Sequence, residues 1–195
     1  MGLLGLPWRA VPADIDESAY LLADPLVGAL NVAAAKAQVV RGAADEVILA
    51  ADTLVVADGA VLGKPADAAG ARGMLAQLRG RGHEVLTGVA LRAANDLRWG
   101  GVVSTRVVIR DYPDVDMENY IQRAEPFDKA GGYAVQDEVF RPVQRLEGCY
   151  LNVVGLPLCA VAAGLAALGV MAATTQERPP CHYCQKGAPL VSVST

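Results

Sequence analysis

Four charged side chains stand in surroundings where a charge is costly unless it is paired, bound to a metal or used in chemistry. Glu17 follows two aspartates, Lys36 lies in an alanine-rich segment, Asp52 interrupts a hydrophobic run, and Lys64 precedes a proline. Taken singly, each has an ordinary explanation: Asp52 as a turn or capping residue, Glu17 as a helix-start carboxylate, and the lysines as solvated side chains. Taken together, they are the first candidates for a functional site.

The chain lacks the common nucleotide-binding signatures. It has no Gly-x-x-x-x-Gly-Lys-Ser/Thr loop and no Gly-x-Gly-x-x-Gly turn, and His83-Glu84 is not continued to the second histidine of a zinc motif. Any phosphate chemistry must therefore use another arrangement.

Hydrophobic periodicity and turn residues predict the elements that position these side chains. The patterns indicate helices over 24–40, about 67–80 and 114–122, and strands over 46–56, 61–62, 83–91 and 102–109. Asp58-Gly59 and Asn95-Asp96 mark turns between neighbouring strands, so we expect a sheet that is mixed and not purely parallel. The first helix is expected to bury Leu26, Leu30, Ala33 and Ala37, and the last to bury Val115, Tyr120 and Ile121.

Residues 151–176 carry no charge and are long enough to span a bilayer. The stretch contains Pro157 and three glycines, is mostly alanine, and has no aromatic belt or basic cluster at its ends. We therefore interpret it as a strand end that leads into a core helix.

Length and charge favour one globular domain that binds no nucleic-acid polymer. The 195 residues suit a single domain over 1–175 followed by a flexible tail over 176–195. A formal net charge of −4 gives no basic surface for a polyanion, although a few lysines in one cleft can still bind a small phosphorylated ligand. Four cysteines and the lack of a signal-like start predict a cytoplasmic protein.

The sequence resembles the Maf family over about residues 3–169. The resemblance rests on several blocks in fixed order, namely Asp14-Ile15-Asp16-Glu17, Ala33 to Ala37, Ala51-Asp52-Thr53, Gly63-Lys64-Pro65, 83–89, 125–131 with Tyr133 and Gln136, and 152–158. It implies an α/β fold in which a mixed twisted sheet is flanked by helices, with a cleft between two lobes, as in Maf and inosine triphosphate pyrophosphatase-like proteins. A homodimer is allowed, and no membrane partner is implied.

The resemblance also implies roles for the four charged residues. Asp52 would accept a proton from water, while Glu17 and Asp52 would hold Mg²⁺ or Mn²⁺ against a nucleoside triphosphate. Lys36 and Lys64 would bind the phosphates from the opposite wall of the cleft. Attack at the α-phosphorus would release pyrophosphate and a nucleoside monophosphate.

Three further residues bear on the substrate. Thr53 after Asp52 and the amide of Gln136 resemble the dTTP/UTP branch of the family, since a glutamate in place of Gln136 would resemble the methylated-GTP branch. Lys129 either reaches the substrate or braces the site through an ion pair with Asp128. Thr87 is equally well explained as a plain strand residue.

The sequence departs from the family pattern at two places. The family's opening strand and Ser-x-Ser-Pro-Arg-Arg turn have no counterpart here, so we expect either a start recorded too late or a protein of impaired activity. Asp137 stands where glycine is usual and is expected to add negative charge near the phosphates. The alternative function is therefore a catalytically weak nucleotide-binding or regulatory protein acting in septum formation.

Cys181-His182-Tyr183-Cys184 contains half of a zinc site. Structural zinc needs four ligands, and the two remaining cysteines belong to the predicted core. A flexible tail is the favoured interpretation.

Overall fold

The computed structural model describes residues 5–171 except 95 and 97. The predicted tail with Cys181 and Cys184 lies outside the described residues, as does Asn95 of the predicted turn. The strands are β1 (Val47–Ala57), β2 (Ala60–Leu62), β3 (Gly82–Ala93), β4 (Arg98–Ile109) and β5 (Val143–Glu147). The helices are α1 (Pro25–Val39), α2 (Ala68–Leu78), α3 (Asp114–Gln122), α4 (Tyr150–Val154) and α5 (Leu158–Ala167), with short 3₁₀ helices at Glu17–Tyr20 and Ala130–Gly132.

The five strands form one sheet in the order β2-β1-β3-β4-β5. The predicted α/β class with helices flanking a sheet is confirmed, whereas every pairing in the described chain is antiparallel and not mixed. The helix α2 connects β2 to β3, which run in the same direction but are separated by β1. This crossover therefore creates no parallel pair.

The predicted hairpin turn between β1 and β2 is confirmed. Asp58 and Gly59 both have positive φ, 52° and 79°, which is the backbone that a tight two-residue hairpin requires. Pro65 follows shortly after the end of β2, where it cannot supply a ladder donor.

Helix α1 covers one face of the sheet and approaches it closely. Its buried residues are small, namely Gly28, Ala29, Val32, Ala33, Ala35 and Ala37. At the closest approach, a Cβ on Gly88 of β3 would lie 2.3 Å from the carbonyl oxygen of Ala29. The prediction that Leu26 is buried is wrong, since 41% of it is exposed, because the sheet accepts the face of small residues instead.

The other face of the sheet carries two apolar clusters. The first packs α2, α3 and the segment around Tyr133 against Val85 and Val107, and the second packs α4 and α5 against Val89 and Leu91. The helix over 114–122 is confirmed, but Val115 is exposed and Met117 is buried in its place.

Residues 150–154 form a helix, so the predicted strand end in this region is wrong, whereas the core helix that follows it is confirmed as α5. The glycine at the end of α4, Gly155, has a φ of 110° and lets the chain turn into α5. Within the described residues, no helix combines the length and apolar character needed to cross a bilayer.

Replacement of Gly88 by alanine should destabilise the fold. The new Cβ has no room against the α1 backbone, so we expect the free energy of unfolding to fall by about 1–3 kcal/mol or more. The measurement is urea unfolding of Gly88→Ala beside the control Gly73→Ala.

A Cβ on Gly73 of α2 would meet no atom within 4 Å. Because alanine favours helix over glycine, this control should be more stable than the starting protein by about 0.5–1 kcal/mol. A Gly88→Ala variant that unfolds at the same urea concentration as the starting protein would contradict the close approach.

Candidate functional site

A cavity of about 360 Å³ opens at the edge of β1, a size within the range of roughly 300–1,000 Å³ typical of small-molecule sites. Among the described residues, β2 pairs with β1 only over Val55–Ala57. Because β2 does not cover the edge of β1 beside Asp52 and Thr53, the cavity reaches both faces of the strand there. All seven residues predicted from the sequence line it: Glu17, Lys36, Asp52, Thr53, Lys64, Lys129 and Gln136. A second depression, over β5, is lined by Val108, Gln144 and Arg145 and has no carboxylate among these residues.

Two capped helices position Lys36 and Glu17 at the cavity. The carboxylate of Asp24 accepts a hydrogen bond from the Leu26 backbone and starts α1, whose last turn carries Lys36. Asp16 caps the 3₁₀ helix Glu17–Tyr20 by accepting from the Ser18 backbone. Glu17 is therefore a helix-start carboxylate and also a residue of the cavity.

The ammonium group of Lys36 bridges two carboxylates. Its Nζ atom lies 2.8 Å from Asp52 Oδ1 and 2.7 Å from Glu17 Oε1. Asp52 is only 9% exposed, whereas the Glu17 side chain is about half exposed. An ammonium group has three N–H donors, so one donor remains after both carboxylates are bound.

The expectation that Lys36 lies on the wall opposite the carboxylates is wrong. Because α1 packs directly on the face of β1 that carries Asp52, Lys36 lies between Asp52 and Glu17. Burial alone would lower the pKa of Lys36, but the hydrogen bonds that Lys36 donates to Asp52 and Glu17, together with the negative charges of these carboxylates, outweigh it and the pKa is raised. Lys36 is therefore cationic at neutral pH.

A second wall comes from the segment after α3. The Gly131 backbone donates to the carbonyl of Gly63 and ties this segment to the connection that carries Lys64. Lys64 is exposed and forms no hydrogen bond or ion pair with the described part of the chain. Its ammonium group is thus available to a ligand.

Of the two alternatives for Lys129, the ion pair is present. Its Nζ donates to Asp128 Oδ1 at 2.6 Å and to the carbonyl oxygen of Glu125 at 2.7 Å. Asp128 is strongly exposed, so this pair is weakly held.

Asp137 does not add a free charge to the cavity, so that expectation is wrong. Its carboxylate binds Arg123 at 2.9 Å and accepts hydrogen bonds from the backbones of Val139 and Phe140. The neighbouring Gln136 lines the cavity, and its amide makes no hydrogen bond with the described residues.

A polar seam, made of Thr53, Thr87, Thr105 and Asn152, separates the two apolar clusters on one face of the sheet. Thr53 Oγ1 lies 2.9 Å from Thr87 Oγ1, and Thr87 Oγ1 donates to the carbonyl oxygen of Asn152 at 3.1 Å. The Asn152 amide donates to Val85 O and to Thr105 Oγ1. The seam ends at the cavity, because Thr53 is one of its lining residues.

Sequence reasoning did not identify Thr105 and Asn152 as members of this network. The available signal was that Thr87 and Thr105 interrupt two apolar strands at positions facing the same side of the sheet. The contact with Asn152 spans 65 residues of sequence for Thr87, so no local pattern reveals it.

His83 and Tyr133 form a buried pair behind the cavity. His83 Nε2 lies 2.7 Å from the hydroxyl of Tyr133, which is itself a lining residue. Burial, aided by the charge of Arg106, lowers the pKa of His83 to about 4. His83 is therefore neutral at physiological pH and supports the ring of Tyr133.

Comparison with known proteins identifies similar sequences along nearly the whole chain. The family model described as Maf-like protein matches residues 1–168. A dTTP/UTP pyrophosphatase of Thermomicrobium roseum is 44% identical over 189 residues, which cover 94% of this chain and 86% of the relative. The dTTP/UTP pyrophosphatase of Anaeromyxobacter dehalogenans is 45% identical, with 87% of each chain covered, and that of Moorella thermoacetica is 45% identical, with 86% and 87% covered.

Stability should fall in mild acid because of His83. Above pH 6.5 the histidine is neutral in both the folded and the unfolded chain. Below pH 6.5 the unfolded chain binds a proton at this histidine, whereas the folded chain keeps it neutral down to about pH 4. Between these two pH values, protonation of His83 in the unfolded chain should lower the free energy of unfolding by up to about 1.4 kcal/mol for each pH unit.

The measurement is urea unfolding of the starting protein and His83→Gln from pH 8 to pH 4.5. The stability difference between them should be constant above pH 7 and should shift by roughly 2–3 kcal/mol in favour of the variant at the acid end. Parallel curves over the whole range would contradict a neutral buried His83.

Proposed function

The chain belongs to the Maf family, and from this membership and the contents of its cavity we propose that it hydrolyses dTTP and UTP to the monophosphate and pyrophosphate. The observation that carries the proposal is the cluster Glu17–Lys36–Asp52, which shares one cavity with Lys64. The relatives named dTTP/UTP pyrophosphatase support the choice of substrate.

Asp52 is the proposed proton acceptor. Its Oδ1 atom is held by Lys36, while Oδ2 accepts no hydrogen bond from the described residues. Oδ2 can therefore take a proton from a water molecule whose oxygen forms a bond to the α-phosphorus. The bond from the α-phosphorus to the oxygen that leads to the β-phosphorus then breaks, and pyrophosphate leaves.

The lysines are proposed to bind the phosphates. Lys36 has one N–H donor left, and Lys64 has its whole ammonium group available. Lys129 can exchange the exposed Asp128 for a phosphate oxygen at small cost, because exposed ion pairs are weak. Three cations in one cavity would stabilise the charge that builds on the phosphate oxygens.

The carboxylates fit a divalent cation such as Mg²⁺ or Mn²⁺. Glu17 and Asp52 offer hard oxygen ligands, and both lie within 2.8 Å of the same nitrogen, so they are close to each other. The described residues contain no group of three or more acidic, histidine or cysteine side chains placed to hold a metal ion. Phosphate oxygens would therefore complete the set, and the bound cation would neutralise developing charge and lower the pKa of a bound water molecule.

Thr53 and Gln136 are proposed to contact the base. The Gln136 amide offers both a donor and an acceptor, as the edge of a pyrimidine requires. A homodimer and a cytoplasmic location stay predictions from the sequence.

Replacement of Asp52 by asparagine should abolish most of the activity. The amide keeps the size of the side chain but cannot accept the proton, so pyrophosphate release from UTP and dTTP should fall by about 10²–10⁴-fold. The measurement is the steady-state rate at saturating nucleotide and Mg²⁺.

The matched control is Asp58→Asn in the turn at the end of the same strand. Asp58 pairs with Arg81 outside the cavity, and asparagine tolerates its positive φ, so activity should be retained. Full activity of Asp52→Asn would contradict the proposal. Intact UTP binding with no turnover by the starting protein would favour the regulatory alternative.

The two lysines should differ in their effect on stability. Lys64→Met should raise KM for UTP and change the free energy of unfolding by less than about 0.5 kcal/mol, because Lys64 is exposed and makes no hydrogen bond or ion pair with the described residues. Lys36→Met should also impair hydrolysis but should lower stability at pH 7 by roughly 1–3 kcal/mol, because buried Asp52 loses its cation.

Urea unfolding and steady-state kinetics of both variants test this difference. An unchanged KM in Lys64→Met would remove Lys64 from the phosphate site. A Lys36→Met variant as stable as the starting protein would contradict the bridge.

A further inference from the structure

We propose that Thr87 fixes the direction of the Thr53 hydroxyl group and so makes Thr53 a hydrogen-bond acceptor toward the base. Thr87 touches no ligand in this scheme and is a positioning residue. The inference rests on the proposed function, because it concerns the base that the same cavity selects.

The geometry of the polar seam supports the first step. Thr53 and Thr87 are directly opposite each other in the pairing of β1 with β3, and their hydroxyl oxygens are 2.9 Å apart. Thr87 is fully buried, and its hydroxyl oxygen also lies 3.1 Å from the backbone carbonyl oxygen of Asn152. The Thr87 hydroxyl is thus held between two oxygen atoms.

A count of protons gives the direction of each hydrogen bond. A carbonyl oxygen can only accept, so the 3.1 Å contact with Asn152 is a hydrogen bond only when Thr87 donates its single hydroxyl proton to that oxygen. No proton of Thr87 is then left for Thr53. The bond between the two threonines therefore requires Thr53 to donate and Thr87 to accept.

Asn152 is held in place by its own side chain. Its amide nitrogen donates to the Val85 carbonyl oxygen at 2.9 Å and to Thr105 Oγ1 at 3.0 Å. Rotating the amide by half a turn would place its oxygen against the Val85 carbonyl, so the orientation has one solution. The acceptor that orients Thr87 belongs to a rigid part of the core.

The consequence appears at the cavity wall. The Thr53 hydroxyl donates its single proton to the hydrogen bond with Thr87, so it presents only lone pairs to a ligand. The neighbouring lining residues Val153, Val154 and Gly155 carry no side-chain donor or acceptor. This part of the wall therefore suits a flat base that offers an N–H group.

Uracil and thymine carry an N–H group at N3, whereas cytosine has a lone pair at the same position. A hydroxyl that can only accept stabilises the binding of uracil and thymine. It disfavours the binding of cytosine, because two facing lone pairs leave both groups without a hydrogen-bond partner. Thr87 would in this way help the cavity to distinguish UTP and dTTP from CTP.

The experiment compares kcat/KM for UTP and CTP in Thr87→Val and Thr87→Ser. Valine keeps the shape of the side chain but accepts no hydrogen bond, so the Thr53 hydroxyl becomes free to donate to the base. The UTP-to-CTP ratio of kcat/KM should then fall by about tenfold or more. Serine keeps the hydroxyl and should keep the ratio within about threefold of the starting protein. Thr53→Val, which removes the acceptor itself, should lower the ratio as Thr87→Val does.

Thr105→Val is the matched control for packing. It makes the same substitution on the same face of the neighbouring strand and also removes a partner of Asn152, but it leaves the link from Thr87 to Thr53 in place. It should lower stability and keep the UTP-to-CTP ratio. An unchanged ratio in Thr87→Val, or an equal fall in Thr105→Val, would overturn the assignment.

A second measurement distinguishes failure of the proposed function from failure of the role of Thr87. If the starting protein releases no pyrophosphate from UTP or dTTP, the hydrolytic function fails. Calorimetric titration of the same variants with UTP and with CTP then tests Thr87 through the ratio of the two Kd values. The same fall in preference supports the role of Thr87, and an unchanged preference overturns it.

Discussion

One shared ammonium group organises the site. Lys36 binds a buried carboxylate of the sheet and an exposed carboxylate of the preceding 3₁₀ helix, and each partner alone would be costly or loosely held. The bridge gives the Asp52 carboxylate, which is 9% exposed, a cationic partner, and it holds Glu17 at the lining of the cavity. The acid–base chemistry, the cation-binding oxygens and one phosphate contact of the proposed reaction all depend on it.

The bridge depends on the close packing of helix α1 against the sheet. Helix α1 meets the sheet through alanines, Gly28 and Val32, and Gly88 leaves the space that the Ala29 backbone occupies. Successive residues of a strand point to opposite faces, so Asp52 faces α1 while Thr53 faces the polar seam. Because the cavity wraps around the edge of β1, it receives charge from one face and a neutral hydroxyl from the other.

Much of this was accessible from the sequence. The bounds of α3, the Asp58-Gly59 turn and the core helix after Pro157 follow from local patterns of hydrophobic and turn residues. The resemblance to the Maf family identified the seven lining residues as a set. Contacts between distant segments were not accessible: the position of Lys36 depends on how closely α1 packs, Asp137 is neutralised by Arg123, and Thr87 is oriented by a carbonyl 65 residues away.

A crystal structure with Mg²⁺ and α,β-methylene-UTP, in which the bond to be cleaved is replaced by a stable one, would show whether this cavity binds the nucleotide. We expect the α-phosphate beside Asp52, the remaining phosphates on Lys36 and Lys64, and the uracil edge against Thr53 and Gln136. A nucleotide bound outside this cavity, or phosphates that approach neither Lys36 nor Lys64, would contradict it.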